Sequence, residues 1–368
     1  MSLPVKSVSI IERVGALRSG AIGSTAPHRE LPRGTRTLVF LRNRGIYVVL
    51  LVLVLFFWYW AGSSFATFEN ARLIVSLTAT TAIFGAALGF CVLTGALDIS
   101  VPGTAALAGV VCGRLLTAGQ PQWLALSAAL LIGVLVGVVN GMLIEFGLNA
   151  LATTIGTLTA LAGLSAFVAQ DVPVHLGPAT SRLDWLGFDR HWGIPTTVLV
   201  VVGVYVLGWL FLTQTRQGIR LIAVGGNVEA ARRAGINSGL YRVLGFVLSG
   251  VCAAIGGVMV AALISQANPT PDTTVLFEAL TAVALSGMAL SGGRGSLPRV
   301  AVGALIISTI SNALIIRGVS PDWATLSTGG LLLAALTFER ATIRALMEHA
   351  GAARQPSPGP ASREKSDV

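Results

Sequence analysis

Two carboxylic acids, Asp98 and Glu278, stand inside otherwise apolar stretches of this chain. A charge within a bilayer costs about 2.5–3.5 kcal/mol on insertion scales, so such a group faces a partner or a cavity. Asp98 lies beside Thr94-Gly95 and shortly before Pro102. A carboxylate there suits the positive N-terminus of a following half-helix, which makes it a structural cap. Glu278, in Leu276-Phe277-Glu278-Ala279, pairs with another helix, snorkels outward, or lines a solute path.

The other reactive side chains exclude more than they suggest. Cys91, Cys112 and Cys252 sit singly in apolar runs without a CxxC, so they read as small packing residues. His28, His175, His191 and His349 are scattered, and no metal site follows. The only lysines are Lys6 and Lys365. A phosphate-binding loop needs Lys followed by Ser or Thr after its glycines. The cluster Gly292-Gly293-Arg294-Gly295 therefore reads as a tight turn, and this polypeptide is expected to hydrolyse no ATP itself. No residue is assigned a catalytic role. A Schiff-base lysine within a span is excluded as well.

The elements that carry these residues follow from composition. Of the 368 residues, 54% are hydrophobic and 11% charged, against about 25% charged in soluble domains. The 43 glycines suit close helix approach in a bilayer. Apolar runs long enough to cross a hydrocarbon core lie near 46–62, 73–94, 102–118, 123–144, 151–170, 195–213, 242–264, 275–291, 299–316 and 322–338. The fold expected is thus an all-α polytopic membrane protein of about ten transmembrane helices. Asp98 then falls at the inner end of the second span, and Glu278 near the outer end of the eighth.

Charge sets the orientation. Placing both termini in the cytoplasm puts twenty of the 25 Lys and Arg inside, as the positive-inside rule requires. The basic excess is concentrated in the tails, which argues against nucleic acid. Residues 1–45 read as a basic, disordered cytoplasmic tail without a signal-peptide core, and 339–368 as a second cytoplasmic tail. Between them, 46–338 forms one membrane domain, with Trp58, Tyr59 and Trp60 as an interfacial belt.

The longest polar stretch between spans, 214–241, contains Gly225-Gly226-Asn227-Val228-Glu229-Ala230-Ala231-Arg232-Arg233-Ala234-Gly235-Ile236-Asn237. Asn227 is a good N-cap, Glu229 and Arg233 are four apart in the favourable order, and Gly235 supplies a left-handed stop. A stiff helix over Val228 to Ala234 is predicted, with Ala230, Ala231 and Ala234 as a small, flat side.

This loop resembles the coupling helix of the membrane-spanning permease subunits of bacterial ATP-binding-cassette importers for ribose, xylose, arabinose, galactose and related sugars. Three further segments are similar to that family over about residues 70–338. They are Leu93-Thr94-Gly95-Ala96-Leu97-Asp98-Ile99-Ser100-Val101, Asn140-Gly141 with Ala152-Thr153-Thr154-Ile155-Gly156-Thr157, and Leu290-Ser291-Gly292-Gly293-Arg294-Gly295-Ser296. The first departs from the family's pattern at Ala96 and at Pro102-Gly103. Leu93-Thr94-Gly95-Ala96 also echoes Leu290-Ser291-Gly292-Gly293, but four residues do not make an internal repeat. Related branched-chain amino-acid permeases lack the Gly-Gly-Asn lead-in, which tilts the substrate towards sugar.

The resemblance implies a type II importer-like fold in the bacterial plasma membrane. It implies an ATPase pair, holding ATP and Mg, docked on Gly225, Gly226, Asn227, Glu229, Ala230, Ala231, Arg232, Arg233 and Gly235. It implies also a second permease copy or homologue, and an extracytoplasmic binding protein over loops 171–194 and 265–274. Phe90, Asn149, Phe277, Glu278 and Asn312 are candidates for the solute path. Asp98, Asn140, Gly292, Gly293, Arg294 and Gly295 are structural. For the polar candidates, interhelical bonding competes with substrate contact. Alternatives are a permease for branched-chain amino acids or nucleosides, and a secondary carrier without an ATPase. Such a carrier places several ionisable groups mid-span, whereas both acids here are expected towards span ends.

Overall fold

A computed structural model describes residues 33–177, 182–191 and 193–352. Most of the N-terminal tail, and the end of the C-terminal one, lie outside the described residues. The long helices are α1 (Arg33–Ala61), α2 (Phe68–Leu93), α3 (Val101–Thr117), α4 (Gln122–Glu145) and α5 (Ala150–Ala169). A four-residue turn, α6 (Asp184–Gly187), precedes α7 (Thr196–Gln214), α8 (Arg216–Gly226) and α9 (Val228–Arg233). The chain then continues through α10 (Ser238–Ile264), α11 (Thr273–Leu285), α12 (Leu297–Ile316) and α13 (Pro321–Ala352). The expected tails are partly helical, since α1 begins at Arg33 and α13 runs to Ala352.

Each of the ten apolar runs falls on a helix. Seven helices among the described residues are long and apolar enough to cross a membrane: α2, α4, α5, α7, α10, α12 and the Gly45–Ser64 part of α1. Two more, α3 and α11, are apolar but have only 17 and 13 residues, short of the about 20 a full crossing needs. The eighth run is helical only to Leu285 rather than 291, because Ser286 and Gly287 turn the chain out of helix.

The centre of the bundle is a pair, α2 and α10. Their apolar windows are 72% and 61% buried, against 22% for α1 and α5. Around this pair the packing is symmetric. Helix α10 rests on α3 and α4, and α2 rests on α11 and α12; α3 in turn packs on α4 and α5, and α11 on α12 and α13. Exchanging α2–α5 for α10–α13 maps one set of contacts onto the other. The two sets run in opposite directions, because the C-terminus of α2 and the N-terminal part of α10 meet where Thr94 lies against Gly245. This is an inverted repeat, with one short helix in each half. Its equivalent breaks are 94–100, before α3, and 265–272, before α11. The sequence echo at Leu290-Ser291 falls after α11 and is not part of the repeat.

Close backbone approach holds the halves. On α4, Gly133, Gly137 and Gly141 form a stripe that faces α10. A Cβ on Gly137 would lie 2.5 Å from the Phe246 carbonyl oxygen, and one on Gly141 2.6 Å from the Val243 Cα. Gly133 and Gly250 meet backbone to backbone. The GxxxG spacing thus serves intramolecular packing, as small residues do between membrane helices. Helix α1 is peripheral, packing Phe57 and Ile46 on Ile306 and Ile310 of α12. Trp58 and Tyr59 are exposed at its end, while Trp60 sits 5.0 Å below the Arg317 guanidinium.

On the face opposite α8 and α9, two loops are joined. Val174–His175 pairs antiparallel with Gln266–Ala267, in register Val174 with Ala267. A short hairpin at Arg190–His191 and Ile194–Pro195 follows.

Substituting Gly137 by Leu should separate α4 from α10 and cost at least the about 1–3 kcal/mol typical of overpacking. Gly156 on α5 has open space around its Cβ position, so Gly156→Leu should leave the protein intact. Size-exclusion profiles and thermal midpoints in detergent report the contrast.

Candidate functional site

Helix α8 occupies the first half of the 214–241 stretch, where the sequence suggested only a polar loop. Thr215 caps it, accepting from the Gly218 N–H at 3.0 Å. Gly218, Leu221 and Val224 turn inward, one helical face apart. Tyr241 of α10 donates its hydroxyl to Gln217 and accepts from Arg220. Gly225 and Gly226 end this helix rather than forming a free lead-in.

Asn227 breaks the chain in extended conformation (φ −162°), and its Oδ1 accepts from the Ala230 N–H at 2.9 Å. Helix α9 then runs over Val228–Arg233, one residue shorter than the sequence suggested. Gly235, at φ +76°, closes it with the Ile236 N–H donating to the Ala231 carbonyl at 3.0 Å. The Glu229–Arg233 pair forms at 3.2 Å, with both side chains mostly exposed. Ala230 and Ala234 are exposed beside it, but Ala231 is buried against the chain's own core. Glu229, Ala230, Arg233 and Ala234 are thus open on the surface, and Ala231 is not.

Three motifs that are far apart in sequence meet behind α9. The Gly293 N–H donates to the Leu93 carbonyl at 3.2 Å. A Cβ on Gly225 would overlap that same carbonyl and lie 2.9 Å from the Gly293 nitrogen. A Cβ on Gly292 would lie 2.5 Å from the Gly95 Cα, and one on Gly293 would run into Gly226. Exposed Arg294 contributes its backbone, accepting from the Ala289 N–H at 3.0 Å. Gly295 leaves room for Met288, whose Cγ would be 2.5 Å from a Cβ there. The end of α8, the break after α2 and the turn before α12 thus cross with no side chain between them.

Deeper in the bundle, a buried polar network surrounds the break at 94–100. Asp98, 2% exposed, accepts from the Ser100 N–H at 3.0 Å and hydroxyl at 2.6 Å, and from the Ser249 hydroxyl at 2.8 Å. Asn140 donates to the Ser100 oxygen at 2.9 Å and accepts from Thr157 at 2.6 Å. The carboxylate is hydrogen-bonded to Ser100, the residue that precedes α3. It lies in the non-helical segment that follows α2, level with Ser249, eleven residues into α10. The Glu278 Oε2 accepts at 2.9 Å from Thr81, midway along α2.

The candidate path residues do not converge. Phe90 is buried, its ring edge 2.8 Å from where a Gly208 Cβ would be. Asn149 caps α5, accepting from the Leu151 N–H at 2.9 Å, and borders a cavity of about 280 Å³ with Gly95, Ala96, Leu97 and Leu290. Phe277 is exposed, next to half-buried Glu278. Asn312 is buried on α12 with its Oδ1 unpartnered. Sequence reasoning missed Ser249 and gave Ser100 and Thr157 no role beyond their place in the motifs, because a hydroxyl's bond is not legible until its partner is placed. It missed Glu145 as well, by counting the bases near α9 and not the acids.

The junction separates two neighbouring glycines. Gly225→Ala should abolish folded protein, whereas Gly226→Ala, whose nearest new contact is 3.9 Å away, should be tolerated. In the network, Thr157→Ala should cost about 1–3 kcal/mol, the penalty for a buried group left unpaired, because the Asn140 Oδ1 loses its donor. Asn140→Ala leaves no such group, since Ser100 keeps Asp98 and Thr157 keeps the Thr153 carbonyl, so its cost should come from the lost side-chain volume alone. Detergent unfolding curves check both pairs.

A family model described as branched-chain amino acid transport system / permease component matches residues 70–336, close to the span of the four motifs. The ribose import permease protein RbsC of Escherichia coli (strain K12) is 31% identical over 280 residues, 75% of this chain and 87% of the relative. The L-arabinose transport system permease protein AraH of the same strain is 32% identical over 278 residues, covering 75% and 84%. The D-allose transport system permease protein AlsC is 29% identical over 306 residues, covering 82% and 93%. With the motifs, the inverted bundle and this match over most of its length, the chain belongs to the family of branched-chain amino acid transport-type permease components.

Proposed function

We propose that this chain is the permease subunit of an ATP-binding-cassette importer, forming the membrane path for a sugar or sugar-like solute. The observation that carries the reading is α9: a short, capped helix with Glu229 and Arg233 exposed, following directly on the glycine junction where the end of α8, the break after α2 and the turn before α12 meet. The names of the relatives, permeases for ribose, L-arabinose and D-allose, support a sugar over a branched-chain amino acid. The protein is a transporter subunit and not an enzyme; a separate ATPase pair, which binds ATP and Mg, supplies the energy.

In this reading ten helices lie in the plasma membrane, α3 and α11 spanning only part of it, and both termini are in the cytoplasm. The charge split supports that orientation. Two permease copies, identical or homologous, flank the path. A solute-loaded binding protein docks on the opposite face, where the pairing of Val174–His175 with Gln266–Ala267 makes one platform of the two loops expected to receive it. Closure of the ATPase pair pushes α9, and the helices behind it change which side the path opens to.

Co-purification from membranes in mild detergent tests the docking helix. An exposed pair four residues apart contributes only about 0.3–0.5 kcal/mol, so Glu229→Arg with Arg233→Glu should leave the bundle folded. Loss of a stoichiometric ATPase and of solute uptake in that double variant is the expected outcome. A chain that purifies alone and still moves solute in liposomes would instead be a secondary carrier.

A further inference from the structure

Glu145 is the last residue of α4, and three elements end on its carboxylate. Its Oε1 accepts from Arg232 of α9 at 3.3 Å, and its Oε2 from Arg242 of α10 at 3.1 Å. Arg232 also donates through Nε to the hydroxyl of Ser238, the first residue of α10, at 2.7 Å. The site has been cleared for it: a Cβ on Gly239 would lie 2.7 Å from the Glu145 Cδ. Apart from this carboxylate, α9 packs on α8 and α10.

Stability does not explain the arrangement. The Glu145 side chain is 32% exposed, and pairs in such surroundings contribute about 0–1 kcal/mol. Helices α4 and α10 are already locked by the backbone contacts of Gly133, Gly137 and Gly141. What the carboxylate adds is a link between the exposed helix and the inner ends of both long helices.

Those two helices carry the buried network. Asn140, on α4 five residues before Glu145, grips Ser100 and Thr157. Ser249, on α10 seven residues after Arg242, grips Asp98. A helix transmits axial displacement because its hydrogen-bond ladder makes it stiff. We propose that Glu145 is a positioning residue that passes displacement of α9 to α4 and α10, and through them to the two sides of the Asp98 network. The proposal rests on α9 being the ATPase docking helix.

The test compares wild type, Glu145→Gln, Arg242→Gln and the double variant in the full complex with ATPase and binding protein. Three quantities are read: ATPase subunit retained, thermal midpoint, and solute moved per ATP hydrolysed in proteoliposomes. The ATPase should be retained in Glu145→Gln and the midpoint should move by no more than about 2–4 °C. Solute moved per ATP should fall about tenfold, the scale of a coupling residue's effect. Arg242→Gln should act in the same direction, and the double variant should be no worse than Glu145→Gln alone, since residues in one network are not additive.

Transport per ATP within about twofold of wild type in both single variants overturns the proposal, as do losses that multiply in the double variant. Loss of the ATPase in Glu145→Gln overturns it too, because the residue then builds the docking surface instead of transmitting from it. Arg242→Gln decides the question if Glu145→Gln prevents folding. A wild-type chain that purifies without an ATPase removes the docking reading and this proposal together, whereas a wild-type complex indifferent to Glu145→Gln removes the proposal alone.

Discussion

Backbone amides and carbonyls inside an apolar medium must find their partners within the protein, and at residues 94–100 this chain leaves helix while still buried. Everything around that segment answers the same requirement. Asp98 takes the Ser100 N–H and two hydroxyls, and Asn140 extends the chain from Ser100 to Thr157. Helix α3 can then start inside the bundle instead of at its edge. A buried polar network of this kind is stable only when every member is satisfied, which explains why its members come from α4, α5, α10 and the break itself. The network fixes where four elements stand relative to one another.

A second constraint acts nearer the α8 and α9 face. Where the chain must bring three backbone segments into contact, no Cβ fits between them, and Gly225, Gly292 and Gly293 supply the space. Contact through backbone alone leaves no rotamers to absorb a displacement. A movement of α8 therefore reaches the break after α2 and the turn before α12 directly. The Glu145 carboxylate is the softer, side-chain counterpart of this hard joint.

The inverted repeat gives these features a common frame. Each half contributes one short helix, α3 or α11, and one acid at depth, Asp98 beside α3 and Glu278 on α11. The halves are not equivalent in their chemistry. Asp98 is enclosed by donors from its own half and from α10, whereas Glu278 is half-buried with Thr81 as a partner. That difference matches a fixed structural role for the first acid. Each acid is level with the middle part of a long helix, Asp98 with Ser249 of α10 and Glu278 with Thr81 of α2. Family membership, rather than the depth of the acids, therefore separates this chain from secondary carriers.

The amino-acid sequence by itself determined the ten apolar runs, because hydrocarbon demands apolarity residue by residue and the demand is local. It determined α9 for a similar reason: Asn227, the Glu229–Arg233 spacing and Gly235 act within one or two turns of the chain. The motif match to the permease family was equally legible. The tertiary structure alone decided that Gly225 ends α8, that Ala231 faces inward, and that Asp98 meets Ser249, 151 residues away. It alone decided that the repeat pairs α2–α5 with α10–α13, while the four-residue echo at Leu290 lies outside it. Such features depend on which distant backbone or hydroxyl arrives at a given point, and an isolated segment carries no record of its partner.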